Sequence, residues 1–190
     1  DLGTADVVLV VVDEAGLPVA GAMRWATVVR DGLVVDFRGA MNIVEELKKE
    51  VETIVGVKLE CGATAVPPGT VGRNAQACSH VIAGAGIEPI GQVDEPVAAA
   101  KALGINDGVV VDIGGGTTGI AVLRNGEMVF SADEPTGGTH LSLALAGAYH
   151  IPFEEAELIK RDTLRHREIM PIVLPVIEKM ATVTQQMMNQ

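Results

Sequence analysis

The sequence is poor in aromatic residues and in positive charge. Phe, Trp and Tyr make up 3% of the 190 residues, and 14 Lys and Arg stand against 25 Asp and Glu, a formal net charge of −11. So few rings leave little to stack single-stranded bases on. The acidic balance excludes a binder of nucleic-acid backbones, which needs clustered Lys and Arg to release counterions. The two cysteines, Cys61 and Cys78, lack CxxC spacing, so neither a disulfide framework nor a zinc or iron–sulfur site is expected; both are expected as small buried apolar side chains. The longest aliphatic run, Val7 to Val12, is far short of the roughly 20 residues that span a bilayer. No basic segment leads into an apolar stretch, which makes the cytoplasm the expected location. What the chain has in quantity is apolar residues, 48%, enough to exclude disorder and to fill the core of one large domain or two small lobes.

Along the chain, Asp6–Asp13 and Pro18–Ala26 read as a hairpin turned near Gly16, with Leu33-Val34-Val35 a third short strand. From Met41 to Val55 the period becomes helical: Val44, Leu47, Val51 and Ile54 share one face, while Glu45/Lys49 and Lys48/Glu52 pair on the other, and Gly56 ends the helix. A strand over Leu59–Val66, a Pro67-Pro68-Gly69 turn, a helix over Asn74–Ala85 and a strand over Glu88–Val93 follow. Pro96 then opens a short helix that Gly104 stops. Beyond it come a strand of buried type, Gly108–Asp112, a triple-glycine turn, and a strand over Thr117–Leu123. The hairpin signal Asn125-Gly126 leads into Glu127–Ala132. Helices are expected near 139–148, 153–161 and 172–188, with Pro171 and Pro175 starting or kinking the last.

An internal repeat carries the chemistry. Asp1-Leu2-Gly3-Thr4 opens the first half and Asp112-Ile113-Gly114-Gly115-Gly116-Thr117-Thr118 the second, each followed by a β-branched strand. A glycine turn can aim successive backbone N–H groups into one concavity and hold an anion without lysine. Threonine hydroxyls add donors, and an aspartate at the strand end can face Mg²⁺ directly or through water. Neither turn is a Walker A loop or a dinucleotide fingerprint, because a strand and not a helix follows the glycines. Two such turns, one per lobe, suggest a phosphate chain and a metal clamped in a cleft. Between them, Val93-Asp94-Glu95-Pro96-Val97-Ala98-Ala99-Ala100 sets a carboxylate at the cleft mouth, able to orient water or simply favoured at a helix N-terminus. The lobes divide near Gly104, giving expected lobes 1–104 and 105–190.

These three ordered motifs, DLGT, DEPVAAA and VVVDIGGGTTGIAVL, resemble the first phosphate, connecting and second phosphate motifs of the actin, sugar-kinase and heat-shock-chaperone ATPase superfamily. Val29–Asp36 with the helix after it is similar to bacterial actin-like and FtsA-type proteins. Over the full chain, with SADEPTGGTHLSLALAG and YHIPFEEAELIKRD, it resembles a branch of the superfamily that serves bacterial ethanolamine utilisation. The resemblance implies an α/β, actin-like (ribonuclease H-like) two-lobed fold with mixed sheets, flanking helices and a second lobe incomplete at its C-terminus.

It further implies ATP and Mg²⁺ as cofactors. Asp1 and Asp112 would face the metal, and Glu95 with Asp112 would assist water attack. Gly3, Thr4 and Ala5 would form the first phosphate loop, and Gly114, Gly115, Gly116, Thr117 and Thr118 the second. Gly137 and Gly138 match a glycine pair near the phosphates, and Glu157 and Lys160 a pair that contacts ribose and adenine; an exposed salt bridge is the plainer reading of those two. His140 receives no role beyond the first turn of a helix.

The implied role is assembly or chaperoning of a protein client, an ethanolamine-utilisation enzyme or microcompartment shell protein, with homo-oligomers an option. The alternative is a non-hydrolysing, FtsA-like scaffold. Two departures from the superfamily motivate it: Gly119 stands where relatives carry an acid, and the first loop has no lysine. A small-molecule kinase is disfavoured, because no substrate lobe is inserted. No closing adenosine motif follows Met188, so the resemblance implies chain beyond both ends.

Overall fold

A computed structural model describes residues 1–189. The chain order is β1 Asp6–Val12, β2 Pro18–Trp25, β3 Val29–Arg30, β4 Leu33–Val34, α1 Phe37–Val55, β5 Cys61–Val66, α2 Arg73–Gly84, β6 Glu88–Asp94 and α3 Glu95–Ala102. Then come β7 Gly108–Ile113, β8 Thr118–Arg124, β9 Glu127–Glu134, α4 Gly138–Tyr149, α5 Phe153–Arg161 and α6 His166–Met188. Strands β1 and β2 pair antiparallel, β5 and β6 pair parallel across the α2 crossover, and β7-β8-β9 form an antiparallel meander. The expected mixed α/β architecture is present.

Helix α1 starts four residues before the expected Met41, because the Asp36 carboxylate accepts a hydrogen bond from the Gly39 N–H (2.9 Å) and caps it. Gly56, at φ +74°, ends it in the left-handed conformation that costs glycine least. Val44, Leu47 and Val51 are buried against the β1/β2 hairpin and α2, whereas Ile54 is 60% exposed, contrary to its place on the helical wheel. It lies in the last turn, beyond what those elements cover. Cys78 is buried on α2, but Cys61 is exposed, at the first position of β5, which pairs with β6 alone. The expectation of two buried thiols therefore holds for one.

Helix α3 packs on the meander through Ala100, Val110, Ala121 and Leu123. Central strand β8 is buried along most of its length, but β7 is not the fully buried strand expected: Val109, Val111 and Ile113 remain well exposed. It is an edge strand, and only the Val110 face meets α3. A third cluster, Leu145, Ala156, Ile169 and Val173, joins α4, α5 and α6. Helix α6 begins at His166, before the expected Ile172, and runs through Pro171 and Pro175. A 3₁₀ turn capped by Asp162 and an Arg165–Glu168 ion pair (2.6 Å) nucleate it upstream of both prolines.

The core assignment makes a direct prediction. Leu47→Ala should destabilise the protein by about 2–5 kcal/mol, the cost of an unfilled core site, while Ile54→Ala should stay within about 0.5 kcal/mol. Urea denaturation distinguishes them; equal losses would contradict this packing.

Candidate nucleotide site

The two glycine turns share one hydrogen-bond grammar. In the first, the Gly3 N–H donates to the Asp6 carbonyl (2.9 Å); in the second, the Gly114 N–H donates to the Thr117 carbonyl (2.9 Å). Leu2 bridges Val7 antiparallel as Ile113 pairs with Thr118, and Asp1 bonds Val8 through the main chain as Asp112 pairs with Gly119. The sequence repeat is thus a repeat of backbone geometry.

The turns also touch. A Cβ placed on Gly115 would lie 2.8 Å from the Ala5 Cβ and 3.0 Å from its backbone nitrogen. One on Gly116 would lie 2.5 Å from the Thr4 Oγ1. Glycine is required here by close approach. The glycine pair closes the second turn from behind: the Gly138 and Thr139 N–H groups donate to the Gly114 and Gly115 carbonyls (2.8 Å each), and the Thr139 hydroxyl donates to Gly115 as well (2.7 Å). The start of α4 thus engages the Gly114 and Gly115 carbonyls, while the Gly114 N–H is held within its own turn. His140, left without a role in the sequence, accepts the Gly137 N–H on Nδ1 (3.0 Å) and so fixes the glycine pair. Thr118 donates to the Thr136 carbonyl (2.6 Å).

Carboxylates gather beside the turns. Glu95 opens α3, where a helix dipole alone would favour its ionised form. Burial and the nearby charges of Asp112 and Asp133 overcome the dipole and push its pKa up to about 7. Burial also raises Asp112, and burial with neighbouring Glu134 and Asp112 raises Asp133 to about 6 despite the Thr117 side chain. The register sets Asp112, Gly119 and Asp133 directly across from one another on adjacent strands, hence on one face of the sheet. Pro68 and Pro96 lie close over Gly119: a Cβ there would meet their rings at 3.3–3.5 Å, so a side chain would press on both prolines.

Among the described residues, no three His, Cys, Asp or Glu side chains converge to chelate a metal by themselves. The acids and the free face of the turns suit a hydrated, phosphate-bound Mg²⁺, which keeps several waters, better than an ion caged by protein alone. A buried carboxylate oxygen of Asp133 without a partner is consistent with such a group.

Glu157 and Lys160 lie together on α5. Lys160 donates to Glu157 (2.6 Å) and to the Gly138 carbonyl (3.0 Å), which ties the pair to the glycine segment. Burial would raise the Glu157 pKa, but hydrogen bonds from Lys160, Ser142 and Arg161 together hold it below its ordinary value. The pair is therefore part of a buried-edge network and not an isolated surface bridge. Beside Lys160 a recess of about 180 Å³ opens among apolar side chains, including Leu141, Ile169 and Val173. Arg161, missed in the sequence, also stacks on the Trp25 ring at 3.8 Å and so links α5 to β2. Asp133 was missed too; it lies two residues beyond Ser131 on β9, with Glu134 next to it.

The family described as MreB/Mbl protein matches residues 19–147, and the one described as cell division protein FtsA matches residues 109–187. The ethanolamine utilization protein EutJ of Salmonella typhimurium is 49% identical over 183 residues, covering 96% of this chain and 64% of that protein. The chain thus spans a little under two thirds of the length of such curated relatives. The crystal structure of EutJ from Carboxydothermus hydrogenoformans superposes with a TM-score of 0.91 at 67% identity, covering 99% of this chain and 69% of that one. Spiroplasma citri MreB5 bound to ADP, at 19% identity and a TM-score of 0.73, covers 100% of this chain and 77% of its own, and shows the shared fold. The chain has the actin-like fold and belongs to the family of the ethanolamine utilization protein EutJ.

Proposed function

We propose that this chain binds Mg-ATP between lobes 1–104 and 105–190 of an actin-like protein that assembles or chaperones a protein client in bacterial ethanolamine utilisation. The client would be an enzyme of that process or a shell protein of its microcompartment. The observation that carries the nucleotide reading is the pair of hydrogen-bonded turns meeting at Gly115–Ala5 and Gly116–Thr4. A phosphate chain held there would be gripped by Gly3, Thr4 and Ala5 from one side and by Gly114 to Thr118 from the other. Mg²⁺, when bound, would neutralise phosphate charge that the scarce lysines do not. Asp1 and Asp112 would hold its waters, and Glu95, poised near neutrality, would take a proton from an attacking water. Glu157 and Lys160 would orient the sugar at the mouth of the apolar recess. Arg161 on Trp25 supports nucleotide-dependent closure, since a contact between the lobes changes whenever the cleft does.

The scaffold alternative draws on Gly119, where no acid is present and where a side chain would press on Pro68 and Pro96. Binding of MgATP with phosphate release at background would favour it over the hydrolytic reading.

MgATP at about 100 times its Kd should raise the melting temperature of the full-length protein by roughly 5–10 °C, with EDTA removing most of the gain. No shift in either condition would remove the nucleotide reading. The raised carboxylates add a pH signature. With folded pKa values above the ordinary carboxylate range, Glu95 and Asp133 make the folded state bind more protons than the unfolded one. Their contribution to stability is thus greatest at acid pH and is lost as pH rises toward about 7. Glu95→Gln should flatten that fall and raise the melting temperature at alkaline pH, while lowering ATP turnover by about 100-fold or more. A variant with unchanged turnover, or one less stable at alkaline pH, would contradict the role given to Glu95.

A further inference from the structure

We infer that Asp133 is a third carboxylate of the nucleotide site, its Oδ1 reserved for a hydrogen bond from water around the metal–phosphate ligand. The inference rests on the nucleotide reading above and concerns a residue that neither the turns nor the connecting motif includes. Strand β9 alternates, so Ser131 and Asp133 share a face. The Ser131 hydroxyl donates to Asp94 (3.1 Å), immediately before Glu95, so this face looks toward the start of α3. The pairing of Gly119 with both Asp112 and Asp133 places the two acids on that same face, one on each side of the strand that leaves the second turn.

Between them Gly119 carries no side chain, and the Pro68 and Pro96 rings lie 3.3–3.5 Å from where its Cβ would be. The two acids therefore stand on either side of this glycine on one face of the sheet, next to the proline rings. Asp133 Oδ1 is buried and has no hydrogen-bond partner. An ionised carboxylate offers several acceptor sites, and buried ones left unpaired are uncommon unless a water, ion or ligand belongs there. The next residue, Glu134, has a different use: it lies 3.8 Å from Lys179 of α6. Adjacent acids on a strand point to opposite faces, and Glu134 is the one paired with α6.

Isothermal titration of the full-length protein with ATP, in Mg²⁺ and in EDTA, tests this, and Mn²⁺ substitution with EPR counts the bound metal without turnover. Asp133→Asn should lose about 10-fold of the metal-dependent gain in affinity while its affinity in EDTA stays within about 2-fold. Glu134→Gln should keep the full gain. Asp133→Ala, which removes the charge without bulk, repeats the measurement if the amide fails to fold. A full metal-dependent gain in the Asp133 variants overturns the inference. So does an equal loss with and without metal, which marks a packing role. Wild-type protein with no nucleotide affinity overturns the site reading as well, and is recognised without any variant.

Discussion

The structure depends on two backbone turns approaching more closely than side chains allow. Ala5 and Thr4 press on Gly115 and Gly116 at distances no Cβ could share, and Gly137 packs as tightly on the carbonyls of Gly114 and Gly115. Close approach does two things at once. It docks the first turn on the second, and it sets the carbonyls of the second turn against the start of α4, which donates to them. An acidic protein can then hold an anion by oriented amide dipoles instead of side-chain cations.

The acids around this point work against folding. Glu95, Asp112 and Asp133 are each driven toward their neutral forms by burial, and the first and last also feel the charge of Asp112. A fold selected for stability alone would replace them with neutral groups. On the proposed nucleotide reading, a bound cation would relieve that cost. The Glu157 network differs, because Lys160, Ser142 and Arg161 donate to it and hold it charged, and Lys160 ties it to the glycine pair.

Much of this was legible in residue types that backbone geometry demands. The paired Asp-aliphatic-Gly-Thr turns could be read because glycine is needed for close approach. Asn125-Gly126 could be read because a two-residue hairpin requires positive φ at both positions, +53° and +79° here. Helix α1 showed its buried face through Val44, Leu47 and Val51. Periodicity gives a direction but not what covers it, so Ile54, Cys61 and the open face of β7 came out differently. Asp133, Arg161 and His140 stayed hidden because their roles arise from register and tertiary contact: a strand partner, a ring on another sheet, an amide three residues back. The prolines misled for a local reason, since the capped turn at Asp162 starts α6 before either can break it.

The claim that contact between the turns creates the site is tested most directly by adding one methyl group. Gly115→Ala drives a Cβ into Ala5, whereas Gly147→Ala, on α4 with nothing within 4 Å of its Cβ, alters no contact. MgATP affinity of both variants of the full-length protein, by calorimetry, with circular dichroism to confirm folding, gives the answer. The account predicts roughly 100-fold weaker binding for Gly115→Ala and wild-type binding for Gly147→Ala, which should be slightly more stable. A folded Gly115→Ala protein that binds MgATP as tightly as the wild type would contradict it.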